Sequence, residues 1–156
     1  MFSLFSSPSY FDQELGELKR SRGMWRGQIG LMGQHYPLIL SGTRKLPESD
    51  AISTAKLALH SYPDWCRTIE QALFEHYEPY ADALASEETG SAAQIKINRA
   101  ADVWAYVEIE YVAVYYLATK LATEIAYRTE WDEEHTVAAR FQDGELIELC
   151  GSVLQP

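Results

Sequence analysis

The densest group of potentially reactive side chains is the segment Glu130-Trp131-Asp132-Glu133-Glu134-His135. Carboxylates and an imidazole this close together can bind a divalent metal ion or transfer protons as general acid and base. If the segment is extended, however, neighbouring side chains point to opposite faces, so the spacing does not aim them at one point. Two interpretations follow: a small metal-dependent or acid–base hydrolase site that uses Glu134 and His135, or a connecting turn that Trp131 anchors in the core.

The rest of the sequence offers little further chemistry. It contains no phosphate-binding glycine loop, no dinucleotide fingerprint, no Gly-x-Ser-x-Gly elbow and no pair of His at metalloprotease spacing. His76 lies among glutamates near a predicted helix end, where an imidazole favours the negative terminus. Cys66 and Cys150 are the only cysteines, and we expect two reduced thiols rather than a disulfide. The sequence therefore favours a protein with no catalytic residue, no metal and no cofactor.

Charge is unevenly distributed along the 156 residues. The net charge is −10, yet residues 1–45 carry six Lys/Arg against three Asp/Glu, whereas residues 46–156 carry seven against twenty. This acidity argues against a nucleic-acid partner, and it would steer a basic protein toward the acidic part. If the basic first strands lay beside acidic later strands, the asymmetry would instead balance within the fold.

No segment indicates secretion or membrane insertion. The N-terminal residues lack the basic segment and long apolar core of a signal peptide. No apolar run approaches the roughly 20 residues that a membrane helix needs. We therefore expect one cytoplasmic domain spanning residues 1–156, with no membrane partner.

Alternating polar and apolar residues predict strands in both terminal parts of the chain. Turns at residues 19–23 and at Gly33-Gln34 divide residues 11–43 into a three-strand antiparallel meander. Further strands are predicted at residues 108–116, 123–129, 137–141 and 146–153. Asp143-Gly144 is the strongest hairpin signal, since a type I′ turn needs two residues with positive φ.

Helical spacing predicts two helices between these groups of strands. The first begins near Ser49 or Asp50 and is interrupted at Tyr62-Pro63-Asp64, and the second carries an apolar stripe that includes Trp65 and Tyr77. Residues 86–92 are predicted to form a loop. The fold class is therefore α+β: an antiparallel sheet from the N-terminal meander and the C-terminal strands, with two central helices packed on one face.

Two parts of the chain carry a resemblance to known proteins. The first reads Asp12-x-x-Leu15-Gly16-x-Leu18 followed by Trp25-x-Gly27, and the second reads Trp131-Asp132-x-Glu134-His135 followed by Phe141-x-Asp143-Gly144. This resembles small uncharacterised bacterial domains in which a Trp-Asp-x-Glu-His turn precedes the final hairpin. Some of these are similar to immunity proteins of polymorphic toxin systems, which are encoded beside a toxin and neutralise it by binding. The resemblance implies a binding function and carries over no catalytic residue.

The leading hypothesis is therefore a non-enzymatic protein that binds and neutralises a cognate bacterial toxin with a basic surface. Tyr and Trp, of which the chain has ten and four, are enriched at binding hot spots, and acidic side chains can occupy a basic cleft. The predicted contact residues are those of the acidic turn and of an exposed helix face: Asp132, Glu133, Glu134, Glu70, Glu75 and Glu78. The alternatives are the hydrolase on Glu134 and His135 and a subunit that self-associates through a sheet edge.

Overall fold

One eight-stranded sheet organises the structure, a computed structural model that describes residues 6–85, 95–151 and 153. The strands are β1 Ser9–Asp12, β2 Gly16–Ser21, β3 Met24–Leu31, β4 Gln34–Leu40, β5 Val107–Leu117, β6 Lys120–Thr129, β7 Asp132–Gln142 and β8 Glu145–Cys150. The helix α1, Ser49–Ala85, and a 3-10 helix, Ala100–Tyr106, lie between β4 and β5. The predicted loop at residues 86–92 lies outside the described residues.

The strands follow one another across the sheet in the order of the sequence. All neighbours are antiparallel except β4 and β5, which are parallel with Leu38 opposite Val112 and Leu40 opposite Val114. Parallel neighbours need a long crossover, and α1 belongs to that crossover. The predicted α+β class is thus confirmed, whereas the predicted antiparallel sheet contains one parallel pair.

The N-terminal part has four strands, so the predicted three-strand meander is only partly correct. Asp12 ends β1 with a side-chain turn, in which its Oδ1 accepts hydrogen bonds from the backbone of Glu14 at 2.9 Å and of Leu15 at 3.0 Å. Residues 19–21 belong to β2, and the turn is confined to Arg22 and Gly23, both with positive φ. The polar side chains of residues 19–21 suggested a turn, but a strand of an antiparallel sheet with one solvated face also carries polar side chains on that face.

The prediction of two helices is only partly correct, because both predicted segments belong to α1, a single helix of 37 residues. Pro63 and Pro79 lie inside it, and both are exposed, so water can satisfy the carbonyl that each proline leaves without a partner. The buried stripe runs through both predicted helices without a break: Ala51, Ile52, Ala55, Ala58, Tyr62, Trp65, Ile69, Leu73 and Tyr77. Burying each large apolar side chain contributes about 1.5–3 kcal/mol, so the stripe outweighs the roughly 3 kcal/mol cost of a proline.

The main core lies between α1 and one face of the sheet. Its most deeply buried large side chains include Trp25 in β3, Leu40 in β4 and Tyr127 in β6. Trp65 of α1 stacks on Phe141 of β7 with ring centroids 4.0 Å apart. The helix is therefore fixed to both halves of the sheet.

The opposite face of the sheet carries a buried carboxylate with a full set of partners. Glu124 is 2% exposed and accepts hydrogen bonds from Tyr111 at 2.9 Å, Tyr115 at 2.8 Å and Arg140 Nε at 2.9 Å. Burial and the carboxylate together raise the pKa of Tyr115 to about 12, so its hydroxyl stays protonated and donates. Arg140 also contacts Glu148 at 2.8 Å, which joins β6, β7 and β8 on this face.

Replacing Pro63 tests whether α1 is one helix. Pro63→Ala should raise the free energy of unfolding by about 1–2 kcal/mol, because Ala restores a helical N–H donor and removes the ring clash. Urea unfolding measures the change, with Ile69→Ala, which should lose about 2–5 kcal/mol, as the core reference. Destabilisation by Pro63→Ala would instead indicate that a second helix begins there, since proline is favourable in a first turn.

Candidate functional site

The acidic segment forms the end of the sheet where β6 turns into β7. Glu130 and Trp131 make the turn, and β7 begins at Asp132. Trp131 is only 5% exposed and meets Tyr77 of α1 edge to face, with ring centroids 5.4 Å apart. The turn is therefore seated on the C-terminal half of the helix.

Asp132 is held by two neighbours rather than displayed to solvent. Its side chain is 9% exposed, accepts a hydrogen bond from the Tyr80 hydroxyl at 2.7 Å and lies 3.0 Å from Nδ1 of His135. Burial by itself would raise the pKa of Asp132, but the hydrogen bonds from Tyr80 and His135 outweigh it and lower that pKa. The same hydrogen bond raises the pKa of Tyr80, which keeps the phenol as a donor.

His76 makes the second contact between helix and turn. Nε1 of Trp131 donates to Nδ1 of His76 at 3.1 Å. Nδ1 must therefore be unprotonated, because an indole N–H can only donate. Burial lowers the pKa of His76, and the nearby Asp132 opposes that shift only in part. The contacts Trp131–His76 and Tyr80–Asp132, which we call the junction, join two segments more than 50 residues apart.

The six predicted contact residues divide into two groups. Asp132 and Glu70 serve internal contacts, since Glu70 accepts a hydrogen bond from Nε1 of Trp104 at 2.7 Å. The other four, Glu75, Glu78, Glu133 and Glu134, are exposed. Substituting Asp132 would therefore disturb the junction as well as any surface.

Exposed carboxylates surround the junction on both sides. Glu75 and Glu78 flank His76 on α1, Glu130 precedes Trp131, and Glu133 and Glu134 follow Asp132. We call these five residues the acidic end. In the described part of the chain none of the five forms an ion pair with Lys or Arg. Their charge therefore remains available to a partner.

A shallow cleft of about 600 Å³ opens beside this turn. It is lined in part by Glu108, Arg128, Glu130 and Glu133. Arg128 pairs with Glu108 at 2.9 Å, so their charges balance. The remaining charge of the cleft is that of Glu130 and Glu133, which belong to the acidic end. The cleft is thus a negative depression next to the turn.

The hydrolase interpretation paired His135 with Glu134, but the structure gives His135 a different carboxylate. His135 Nδ1 contacts both oxygens of Asp132 at 3.0 Å, while the Glu134 side chain is exposed. Within residues 6–85, 95–151 and 153, no group of three or more His, Cys, Asp or Glu is placed to hold a metal ion. The geometry therefore orients one imidazole and assembles no metal-ligand set in that part of the chain.

Sequence reasoning missed Tyr80 as a member of the site and did not identify Trp131 as the partner of His76. A signal existed, because Tyr80 and His76 continue the helical spacing of the buried stripe beyond Leu73, which predicts that they face the sheet. Their partners could not be predicted, since Asp132 and Trp131 lie 52 and 55 residues further along the chain.

The family described as Domain of unknown function (DUF6985) matches residues 14–153, which is most of the chain. The protein belongs to this family. The match begins at the turn between β1 and β2 and includes both partners of each junction contact. Searches of curated proteins and of solved structures find no match.

Among the described residues, no helix combines the length and the apolar character that crossing a membrane requires.

A double-mutant cycle measures the strength of the junction. Tyr80→Phe and Asp132→Ala should each lower the free energy of unfolding by about 1–3 kcal/mol, with a coupling of about 1 kcal/mol or more, because a partly buried carboxylate loses its donor. Urea unfolding of the four proteins gives the values. Tyr116→Phe is the matched control, since its bond to Glu48 is exposed and should matter less. A coupling near zero would show that the two groups do not depend on each other.

The His76 contact predicts a pH-dependent stability. Because the folded state lowers the pKa of His76, its contribution is complete above the ordinary histidine value of about 6.5 and is lost as pH falls below it. Between about pH 8 and about pH 5, the free energy of unfolding should therefore decrease more in the wild type than in His76→Gln, and urea unfolding at the two pH values measures both decreases. Asp132 does not contribute in this window, since its pKa is lowered from an already acidic value. Equal pH dependence in both proteins would contradict the assignment.

Proposed function

We propose that this protein is a non-enzymatic binding domain, an immunity protein that neutralises a cognate bacterial toxin and acts in the cytoplasm. The observation that carries the proposal is the acidic end, five exposed carboxylates that have no ion pair with Lys or Arg among the described residues and that surround the part-buried junction. Such a surface fits a basic cleft or basic loop on a partner protein, where the five charges would be paired on binding.

The junction supports this proposal because it fixes the surface before a partner arrives. Trp131 is buried, and Asp132 is bonded on two sides, so the backbone that carries Glu130, Glu133 and Glu134 is held in place. A preorganised surface loses less conformational entropy on binding than a mobile one. Glu133 and Glu134 replace Asp132 as the contact residues of the turn, and Glu75 and Glu78 replace Glu70 on the helix.

The rival proposal is an acid–base hydrolase, and one contact favours it. Asp132 bonds Nδ1 of His135, which leaves Nε2 as the ring atom that could accept a proton, the arrangement by which a carboxylate orients a catalytic imidazole. His135→Gln separates the two proposals, because it removes the base and leaves the acidic end charged. The binding proposal predicts toxin inhibition close to that of the wild type, because Tyr80 still holds Asp132 and the Gln amide can also donate to it, whereas the rival predicts that hydrolysis is lost.

Charge-neutralised bait proteins test the binding proposal. The tagged wild type should capture one tight partner with a basic toxin domain from the bacterium that encodes it, and should inhibit that toxin. Replacing Glu75, Glu78, Glu133 and Glu134 with Gln should weaken the affinity at least about 100-fold, since each lost charge pair costs roughly 1 kcal/mol or more.

The matched control replaces four exposed carboxylates elsewhere with the corresponding amides, Glu17 in β2, Asp50 and Asp64 in α1 and Glu145 at the start of β8. This variant should bind almost as tightly as the wild type, because general attraction between net charges falls off over the Debye length, about 8 Å at physiological salt. Full affinity in the variant with the neutralised acidic end would exclude the acidic end as the contact surface. Circular dichroism and the unfolding midpoint verify that both variants are folded.

A further inference from the structure

A compact group of basic side chains lies at one corner of the sheet. Arg20 donates from Nη1 to the carbonyl of Thr43 at 2.6 Å, and Nε1 of Trp25 donates to the same carbonyl at 2.9 Å. These contacts hold the segment after β4 against the hairpin of β2 and β3. They bring Arg20 and Arg22 of the hairpin beside Arg44 and Lys45, and we call these four residues the basic corner.

No carboxylate among the described residues forms an ion pair with the basic corner. Glu48, which follows closely in sequence, accepts hydrogen bonds from Ser41 and Tyr116 instead. Asp143, at the same end of the sheet, pairs with Lys120 at 2.9 Å.

The strand directions place the basic corner and the acidic end at opposite ends of the sheet. Because β4 and β5 are parallel, the segment after β4 lies at the same end as the turn after β5. The turn between β2 and β3 lies at that end too, whereas the turn between β6 and β7 lies at the other. In the sequential strand order β4 and β5 separate β3 from β6, so the basic first strands do not lie beside the strands that carry the acidic turn.

Helix α1 adds to this polarity. Its N-terminus follows the basic segment and carries one acidic residue, Asp50, in its first turn, and its C-terminal half carries Glu75 and Glu78 of the acidic end. A helix has a partial positive charge at its N-terminus and a partial negative charge at its C-terminus. The last turn of α1 contains no basic residue that would oppose this dipole.

We propose that the protein associates with itself head to tail, with the basic corner of one copy against the acidic end of the next. The two surfaces are complementary in charge and lie at opposite ends of the sheet. One contact between two copies therefore leaves the acidic end of one copy and the basic corner of the other free to bind further copies. Such heterologous contacts build rings or open chains rather than closed symmetric dimers. The net charge of −10 on every copy opposes association, so the contact is weak and sensitive to salt.

Self-association would also compete with the proposed partner, because both use the acidic end. The inference does not rest on the toxin, however, since only this chain takes part in the contact. An assay with the purified protein alone therefore tests it independently of the proposed function.

Sedimentation velocity of two charge-reversed variants and their mixture is the experiment. At an ionic strength of about 0.1 M, where the Debye length of about 10 Å screens the net repulsion more than the close charge pairs, the wild type should sediment faster as its concentration rises, and at about 1 M, where the Debye length is about 3 Å, it should return toward monomer. Arg44→Glu with Lys45→Glu should be monomeric at both salts, as should Glu133→Lys with Glu134→Lys. An equimolar mixture of the two should associate at the lower salt, because each variant then supplies the charge that the other lacks.

The control variant is Arg67→Glu with Lys96→Glu. Both residues are exposed and lie outside the two surfaces, and the variant changes the net charge by the same amount as Arg44→Glu with Lys45→Glu. That control should still associate at the lower salt. A wild type that is monomeric at both salts would overturn the proposal, and so would a mixture that stays monomeric. Association that survives both reversals would also overturn it and would point to pairing of sheet edges.

Discussion

The junction between α1 and the turn that follows β6 is the interaction on which the acidic end depends. Trp131 is buried against Tyr77 and donates to His76, and Asp132 keeps its charge because Tyr80 and His135 bond it. A carboxylate this little exposed is costly without such partners. The glutamates on either side of the turn keep exposed positions because the residues between them are held in place.

The continuity of α1 follows from the same requirement. The helix starts at the end of the sheet that carries the basic corner and must reach the opposite end before His76 and Tyr80 can meet the turn. Pro63 weakens the helix, but the buried stripe through Tyr62, Trp65 and Ile69 keeps it together. The sequential strand order completes the arrangement by keeping basic strands away from acidic ones. Charge separation is thus a consequence of topology.

Local patterns predicted the parts of the fold that depend on local chemistry. The Asp143-Gly144 turn has positive φ at both residues, as expected, and the C-terminal strands lie close to their predicted positions. The turn at Asp12, which depends on a side-chain hydrogen bond, was not predicted. The break predicted at Pro63 is absent, because the buried stripe of α1 outweighs local propensity there. The acidic turn could be found from composition. Its partners Tyr80 and His76 could not, since such pairs depend on the complete fold.

Hydrogen–deuterium exchange of this protein, alone and bound to the toxin that it captures, tests the central claim most directly. The account predicts slower exchange on binding in residues 130–135 and in the C-terminal half of α1, with little change in the hairpin of β2 and β3. Protection of that hairpin and of residues 41–46, with an unchanged acidic turn, would contradict the account and would place the contact at the basic corner.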